Sequence, residues 1–108
     1  MLVAAAQFTA CEKYVLPAVS ITPDTLYFGA KADSAMIYLS TNVITAPNND
    51  EASWITTWPE WFDADSEVMI YVRENTGTSK RTGILYFKSE AIQRKLVVIQ
   101  EGAEVEVN

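Results

Sequence analysis

Three tryptophans within eight residues, Trp54, Trp58 and Trp61, form the densest group of potential ligand-binding side chains in the sequence. Sugars bind proteins by stacking their C–H faces on flat aromatic rings, while carboxylates and amides bind the hydroxyls. The pattern therefore predicts a glycan-binding surface formed by Trp54, Trp58, Trp61 and Asp63. Six acidic residues surround the tryptophans and could supply the polar contacts: Asp50, Glu51, Glu60, Asp63, Asp65 and Glu67.

The same tryptophans have a structural alternative. β-Sandwiches bury a tryptophan between their two sheets, and either Trp54 or Trp61 fits that role. Trp58 directly precedes Pro59, and we expect it to be the most exposed of the three. Trp58 is therefore the central residue of the sugar-binding hypothesis.

The residue types argue against catalysis and against a metal site. Histidine is absent, which removes the commonest general base and the commonest metal ligand. Asp63, Asp65 and Glu67 alternate along the chain, but they lack the glycine and the number of ligands of a known calcium loop. A glycosidase needs two carboxylates flanking the bond it cleaves, and a 108-residue sandwich offers no evident cleft for them. We predict no enzymatic activity, no cofactor and no metal.

The charge balance excludes nucleic acid as a partner. The chain has 8 lysines and arginines against 14 acidic residues, a net charge of −6. Nucleic-acid binding requires a basic face, and adhesion to an anionic bilayer by electrostatics alone requires one as well.

Cys11, the only cysteine, follows ten uncharged and mostly apolar residues that end in small Thr9 and Ala10. This segment resembles the end of a bacterial lipoprotein signal, in which the cysteine is lipidated. The resemblance implies a signal remnant at 1–10, a tether at 11–18 and a domain at 19–108. The domain would be lipid-anchored to the bacterial outer membrane, at the cell surface or on the periplasmic side. The alternative is a buried first strand with a structural cysteine.

Short runs of β-branched and aromatic residues alternate with turn signals along the rest of the chain, as is typical of an all-β sandwich or barrel. No segment has a convincing helical period. Seven strands suit a sandwich of two sheets, and the seven predicted are Val19–Thr22, Leu26–Gly29, Ala35–Thr41, Ser53–Thr57, Glu67–Arg73, Gly83–Lys88 and Lys95–Gln100.

Three segments carry a family resemblance. Glu74 to Gly83 reads E-N-T-G-T-S-K-R-T-G and precedes two strands that end at Gln100. Ile21 to Ala30 reads I-T-P-D-T-L-Y-F-G-A, and Pro59-Glu60-Trp61 precedes another strand. These segments are similar to motifs of the BACON domains (Bacteroidetes-associated carbohydrate-binding, often N-terminal). The resemblance implies an immunoglobulin-like β-sandwich, found in surface proteins and glycan-degrading enzymes of gut bacteria.

Strand alternation predicts large side chains on the outward positions. If Ile37, Leu39 and their counterparts on other strands point inward, the opposite positions are apolar or aromatic where the family tends to have threonine. A sheet that is apolar on both faces is normally covered on both, which predicts an interaction face for a second copy or a neighbouring protein. The alternative is that these residues serve strand propensity and cross-strand pairing. The outward residues are Met36, Tyr38, Met69, Tyr71, Ile84, Tyr86, Val97 and Ile99.

Two functions follow from these patterns. The first is a non-catalytic accessory domain that binds a polysaccharide or other glycan. The second is a protein-interaction or spacer module that packs through its apolar outer face, as a homodimer or with a protein partner. A linear platform of Trp and Tyr among polar groups favours sugar, whereas a broad flat apolar face favours protein.

Overall fold

The computed structural model describes residues 16–48 and 52–104, and the predicted lipidation site at Cys11 lies outside the described residues. Two four-stranded sheets form a sandwich. In that part of the chain, no helix is long and apolar enough to cross a membrane. The eight strands of the described residues are β1 (Val19–Thr22), β2 (Thr25–Phe28), β3 (Asp33–Thr41), β4 (Ala46–Asn48), β5 (Ile55–Trp58), β6 (Ser66–Val72), β7 (Arg81–Lys88) and β8 (Gln93–Gln100).

The sheet topology is immunoglobulin-like. Sheet A has the strand order β1-β3-β6-β5, and its neighbours are all antiparallel. Sheet B has the order β2-β8-β7-β4, in which β2 runs parallel to β8. The chain passes from sheet A to sheet B between β1 and β2, at Pro23-Asp24. This is the arrangement of a constant-type immunoglobulin domain with its first strand divided between the sheets, and it confirms the predicted fold class.

The structure has one strand more than the sequence predicted, namely β4. This strand is three residues long and contains Pro47, which lies opposite Phe87 of β7. Proline lacks a backbone N–H and is tolerated in sheets mainly on edge strands, which is the position of β4 in sheet B. A short run containing a proline carries too weak a strand signal to be recognised in the sequence.

Alternate residues along the strands fill the space between the sheets. Across the interior, the rings of Phe62 and Phe87 lie 6.4 Å apart, at 50° to each other. Burying a large aliphatic or aromatic side chain contributes about 1.5–3 kcal/mol, so this layer supplies most of the stabilising free energy. The residues predicted to point inward are all buried: Ile37, Leu39, Val68, Ile70, Val72, Leu85, Phe87, Leu96 and Val98.

The described chain begins and ends at opposite ends of the sandwich. We call the end where the described chain begins the tether end. There the side chain of Asn42 forms hydrogen bonds with the first described residues. Its Oδ1 accepts a hydrogen bond from the Ala18 amide at 2.8 Å, and its Nδ2 donates to the Leu16 carbonyl at 2.9 Å. The loops 42–45, 59–65 and 89–92 lie at this end. The other end, which we call the far end, contains the loops 29–32 and 73–80 and the chain after Gln100.

Two buried amides close the far end. The Nε2 of Gln100 donates to the carbonyls of Arg73 at 2.9 Å and of Ala30 at 3.3 Å, and its Oε1 accepts from Arg81 Nε at 2.9 Å. Asn75 donates through Nδ2 to the carbonyls of two other far-end residues, Ser79 and Glu101. The segment around Asn75 is therefore held by hydrogen bonds to the protein itself, and it serves structure.

Candidate functional site

Four of the eight large exposed apolar side chains in the described residues lie on the outer face of sheet A. Across β3, β6 and β5, one row of directly paired residues reads Met36, Met69, Trp58. Tyr38 is two residues further along β3, and Tyr71 is two residues further along β6. We call these five residues the sheet A face.

These side chains form one continuous surface. Residues paired across neighbouring antiparallel strands have Cβ atoms about 5 Å apart, and diagonal neighbours are about 7–8 Å apart. Tyr71 is therefore a diagonal neighbour of Trp58, and Tyr38 is a diagonal neighbour of Met69. Trp58 is 65% exposed and Tyr38 is 57% exposed. The result is a flat surface of aromatic rings and thioethers, roughly 10 Å across and 13 Å along the strands.

Polar groups border the sheet A face. Tyr38 lies between Thr22 of β1 and Glu67 of β6, and Tyr71 lies between Ser34 and Thr56. A groove of about 330 Å³ follows the adjacent edge of the sandwich. It is lined by Pro47, Thr56, Thr57 and Glu60. Hydroxyls and a carboxylate thus lie beside exposed rings, which is the combination that sugar hydroxyls and C–H faces require.

Trp58 belongs to this face because of its place on β5. It is the last residue of the strand and is paired with Met69, so its side chain points away from the core, whereas the side chain of Ile55 points into it. The peptide bond to Pro59 is cis, and the strand ends there. Trp58 is the most exposed of the three tryptophans, as its position before proline predicted.

Trp54 lies elsewhere and is engaged by the protein. Its ring packs against the buried core, beside Gly83 of β7. The guanidinium carbon of Arg81 lies 4.3 Å from the ring centroid, which is a cation–π contact. This is the sandwich-tryptophan role that the sequence left open between Trp54 and Trp61.

Trp61 and Asp63 flank a buried anchor in the loop 59–65. Phe62 is buried and pairs with Thr45 through two backbone hydrogen bonds of 2.9 Å. Trp61 and Asp63, on either side, are exposed and alternate with Phe62. They lie at the tether end, whereas Trp54 lies beside Gly83 toward the far end, so the three residues do not form one surface.

The eight predicted interface residues lie on two opposite surfaces. Met36, Tyr38, Met69 and Tyr71 are on sheet A, and Ile84, Tyr86, Val97 and Ile99 are on sheet B. They cannot contact a single flat partner, because the core separates the two sheets. Sequence reasoning missed Tyr27 on sheet B, which is 74% exposed. The alternation Thr25, Leu26, Tyr27, Phe28 was the signal that could have revealed it.

The alternating acids at the tether end contribute to structure. Asp65 Oδ1 accepts hydrogen bonds from the Ser40 hydroxyl at 3.1 Å and from the Thr41 amide at 2.9 Å. It thereby ties the loop before β6 to the end of β3. Within the described ranges, no three of the residue types His, Cys, Asp and Glu come together in a way that could hold a metal ion.

The sequence matches the model of the BACON family, described as "Putative binding domain, N-terminal", over residues 41–101. This is more than half of the chain, and it includes every strand from β4 to β8. In sequence, the chain matches no curated protein.

Among solved structures, the chain is similar to part of a Bacteroides ovatus GH5 xyloglucanase in complex with a XXXG heptasaccharide. The TM-score is 0.73 at 17% identity, over 84% of this chain and 20% of that chain. It is also similar to the periplasmic chaperone SfaE. The TM-score is 0.60 at 10% identity, over 84% of this chain and 61% of the chaperone chain. A third similar structure is WR4, a C. elegans MSP family member. Its TM-score is 0.52 at 9% identity, over 79% of this chain and 97% of that chain. At these identities the likeness concerns the fold alone, and the chain spans about a fifth of the xyloglucanase.

Proposed function

The chain belongs to the BACON family, and we propose that it is a non-catalytic accessory domain that binds polysaccharide through the sheet A face. The observation that supports this most directly is the exposed group of Trp58, Tyr71 and Tyr38 on one flat surface. Exposed aromatic side chains that are grouped on one surface, and not scattered singly, are typical of a ligand-binding or partner-binding site.

The chemistry of the surface favours sugar over protein. Tyrosine and tryptophan offer flat faces for the C–H groups of a pyranose, and a tyrosine hydroxyl can also donate a hydrogen bond. Ser34, Thr56 and Glu67 flank these rings. A flat surface bordered by short polar side chains suits a chain of sugars lying across the strands. It does not enclose a single small molecule.

Xyloglucan is the first polysaccharide to examine. The structural relative with the highest TM-score described above is a xyloglucanase, and this chain resembles a part of it. An accessory domain that holds the same kind of polymer would keep an enzyme close to its substrate, because linking two binding events raises the effective concentration of the second.

The test is affinity electrophoresis of the protein in gels that contain xyloglucan or other plant and host polysaccharides. We expect one of these polysaccharides to retard the wild-type protein. Trp58→Ala and Tyr71→Ala should each weaken that binding roughly 5- to 30-fold, since each removes a stacking surface worth about 1–2 kcal/mol.

Ile44→Ala is the control, because Ile44 is a large apolar side chain that is 60% exposed, close to the 65% of Trp58, and lies in the loop 42–45 outside the faces of both sheets. It should retain wild-type retardation. Circular dichroism would establish that each variant is folded. If no polysaccharide retards the folded protein, or if Trp58→Ala and Ile44→Ala behave alike, the sheet A face is not a glycan site.

A further inference from the structure

The outer face of sheet B is a second surface, with different chemistry. Its aliphatic residues Ile84, Val97 and Ile99 are half-buried, and Tyr27 is 74% exposed. Directly paired residues place Tyr27 beside Ile99, Val97 beside Ile84 and Lys95 beside Tyr86. The centre of this surface is aliphatic, unlike the aromatic sheet A face. Branched aliphatic side chains stack poorly on sugars but pack well against protein. We call this surface the sheet B face.

The charges on the sheet B face are separated along the strands. Lys88 and Lys95 lie toward the tether end. Glu101 lies at the far end, where its amide donates to the Phe28 carbonyl at 3.0 Å and extends the pairing of β2 with β8. Lys95 and Glu101 are both exposed, and neither forms an ion pair within the described part of the chain.

The outward row of β8 is complementary to its own reverse. Taken at every second position, it reads Lys95, Val97, Ile99, Glu101: a base, two aliphatic residues and an acid. A second copy laid face to face with its β8 antiparallel would place Glu101 over Lys95 and Ile99 over Val97. By symmetry, each of these contacts occurs twice.

We propose that two copies of this chain associate through the sheet B face, related by a two-fold axis that lies in the interface at right angles to β8. Isologous two-fold dimers are the commonest oligomers, and they require a self-complementary patch of this kind. A parallel arrangement of the two β8 strands would instead place Lys95 over Lys95 and Glu101 over Glu101. The charge pattern therefore selects the antiparallel dimer.

The size of the face sets the expected affinity. The strands β7 and β8 have eight residues each, whereas β2 has four and β4 has three. With a rise of about 3.3 Å per residue and a spacing of about 4.8 Å, they present on the order of 350 Å² of flat area per copy. This is small for a specific interface, so we expect a weak dimer with a Kd of roughly 10–100 μM. The sheet A face remains free in both copies and points outward on opposite sides.

The test is sedimentation equilibrium of the 108-residue chain at concentrations from about 1 μM to 1 mM. We expect a monomer–dimer equilibrium. Lys95→Glu and Glu101→Lys should each raise the Kd about 10-fold or more, because each turns two attractive contacts into repulsive ones. The double variant K95E/E101K should return the Kd to within about threefold of wild type, since the contacts are restored with reversed signs. Restoration cannot be explained by misfolding of a single variant.

Ile99→Glu should abolish the dimer at every concentration, while Glu67→Lys on sheet A is a matched charge change that should leave the Kd unaltered. A protein that is monomeric at 1 mM overturns the proposal. So does a dimer that is insensitive to Ile99→Glu, or one in which the double variant is no better than the single ones. These outcomes leave the glycan proposal untouched, because that proposal concerns the opposite face.

Discussion

The three tryptophans show how much the function of a residue depends on its backbone. Trp58 is exposed because β5 places it on an outward position, and its location before Pro59 made that foreseeable. Choosing between Trp54 and Trp61 as the packed tryptophan was not possible from the sequence. The choice depends on Gly83 and Arg81 of β7, which reach the Trp54 ring only in the folded chain.

Gln100 provides a test at the scale of one side chain. It is completely buried, and it donates to the carbonyls of Ala30 and Arg73 and accepts from Arg81. Gln100→Leu keeps the volume and removes these hydrogen bonds, leaving buried polar groups unpaired. We expect the free energy of unfolding to fall by about 3 kcal/mol in urea denaturation. Gln93→Leu, at an exposed position on the same strand, should change it by less than about 0.5 kcal/mol.

At the scale of the strands, alternation was predictable and pairing was not. The alternation of apolar residues correctly predicted which side of β3, β6, β7 and β8 is buried. This works because successive side chains of a strand point to opposite faces, whichever strand lies next to it. The same period says nothing about which sheet a strand joins. The eight predicted interface residues were therefore treated as one face, although β3 and β6 belong to sheet A while β7 and β8 belong to sheet B.

Gly83 of β7 tests how closely the sheets are packed at the far end. A Cβ added there would lie 2.7 Å from Ile55 Cδ1 and 2.8 Å from Trp54 Cζ2, closer than van der Waals contact allows. We expect Gly83→Ala to lower the free energy of unfolding by about 1–3 kcal/mol and to perturb tryptophan fluorescence. Gly29→Ala is the control, because an added Cβ there has no neighbour within 4 Å. If both variants unfold at the same urea concentration, Trp54 does not pack over Gly83 as described.

At the scale of the whole molecule, the sandwich separates two exposed faces of different character. The sheet A face has aromatic rings beside hydroxyls, and the sheet B face has an aliphatic centre between opposite charges. Separation by the core means that both can be occupied at once. Lipidation at Cys11 and a location at the outer membrane stay predictions, since Cys11 lies outside the described residues.

The combination of the two faces has a measurable consequence. A dimer whose sheet A faces point outward on opposite sides would bind two segments of a polysaccharide at once. Ile99→Glu should therefore weaken retention on an immobilised polysaccharide roughly 10-fold or more, by loss of multivalency. Its affinity for a short oligosaccharide in calorimetry should equal that of the wild type. Equal retention of both proteins on the polymer would mean that the two faces do not act together.

The sequence by itself determined the fold class, the family and the alternation of core and surface, because these depend on local periodicity and on motifs contiguous along the chain. The exposure of Trp58 also followed from its neighbours. Only the tertiary structure decided that Trp58 lies on one face with Tyr71 and Tyr38. It also decided that Trp54 packs against the core, and that Lys95 and Glu101 lie at opposite ends of an aliphatic face. The physical reason is that strand pairing joins segments distant in sequence, and it is selected by the free energy of the whole core.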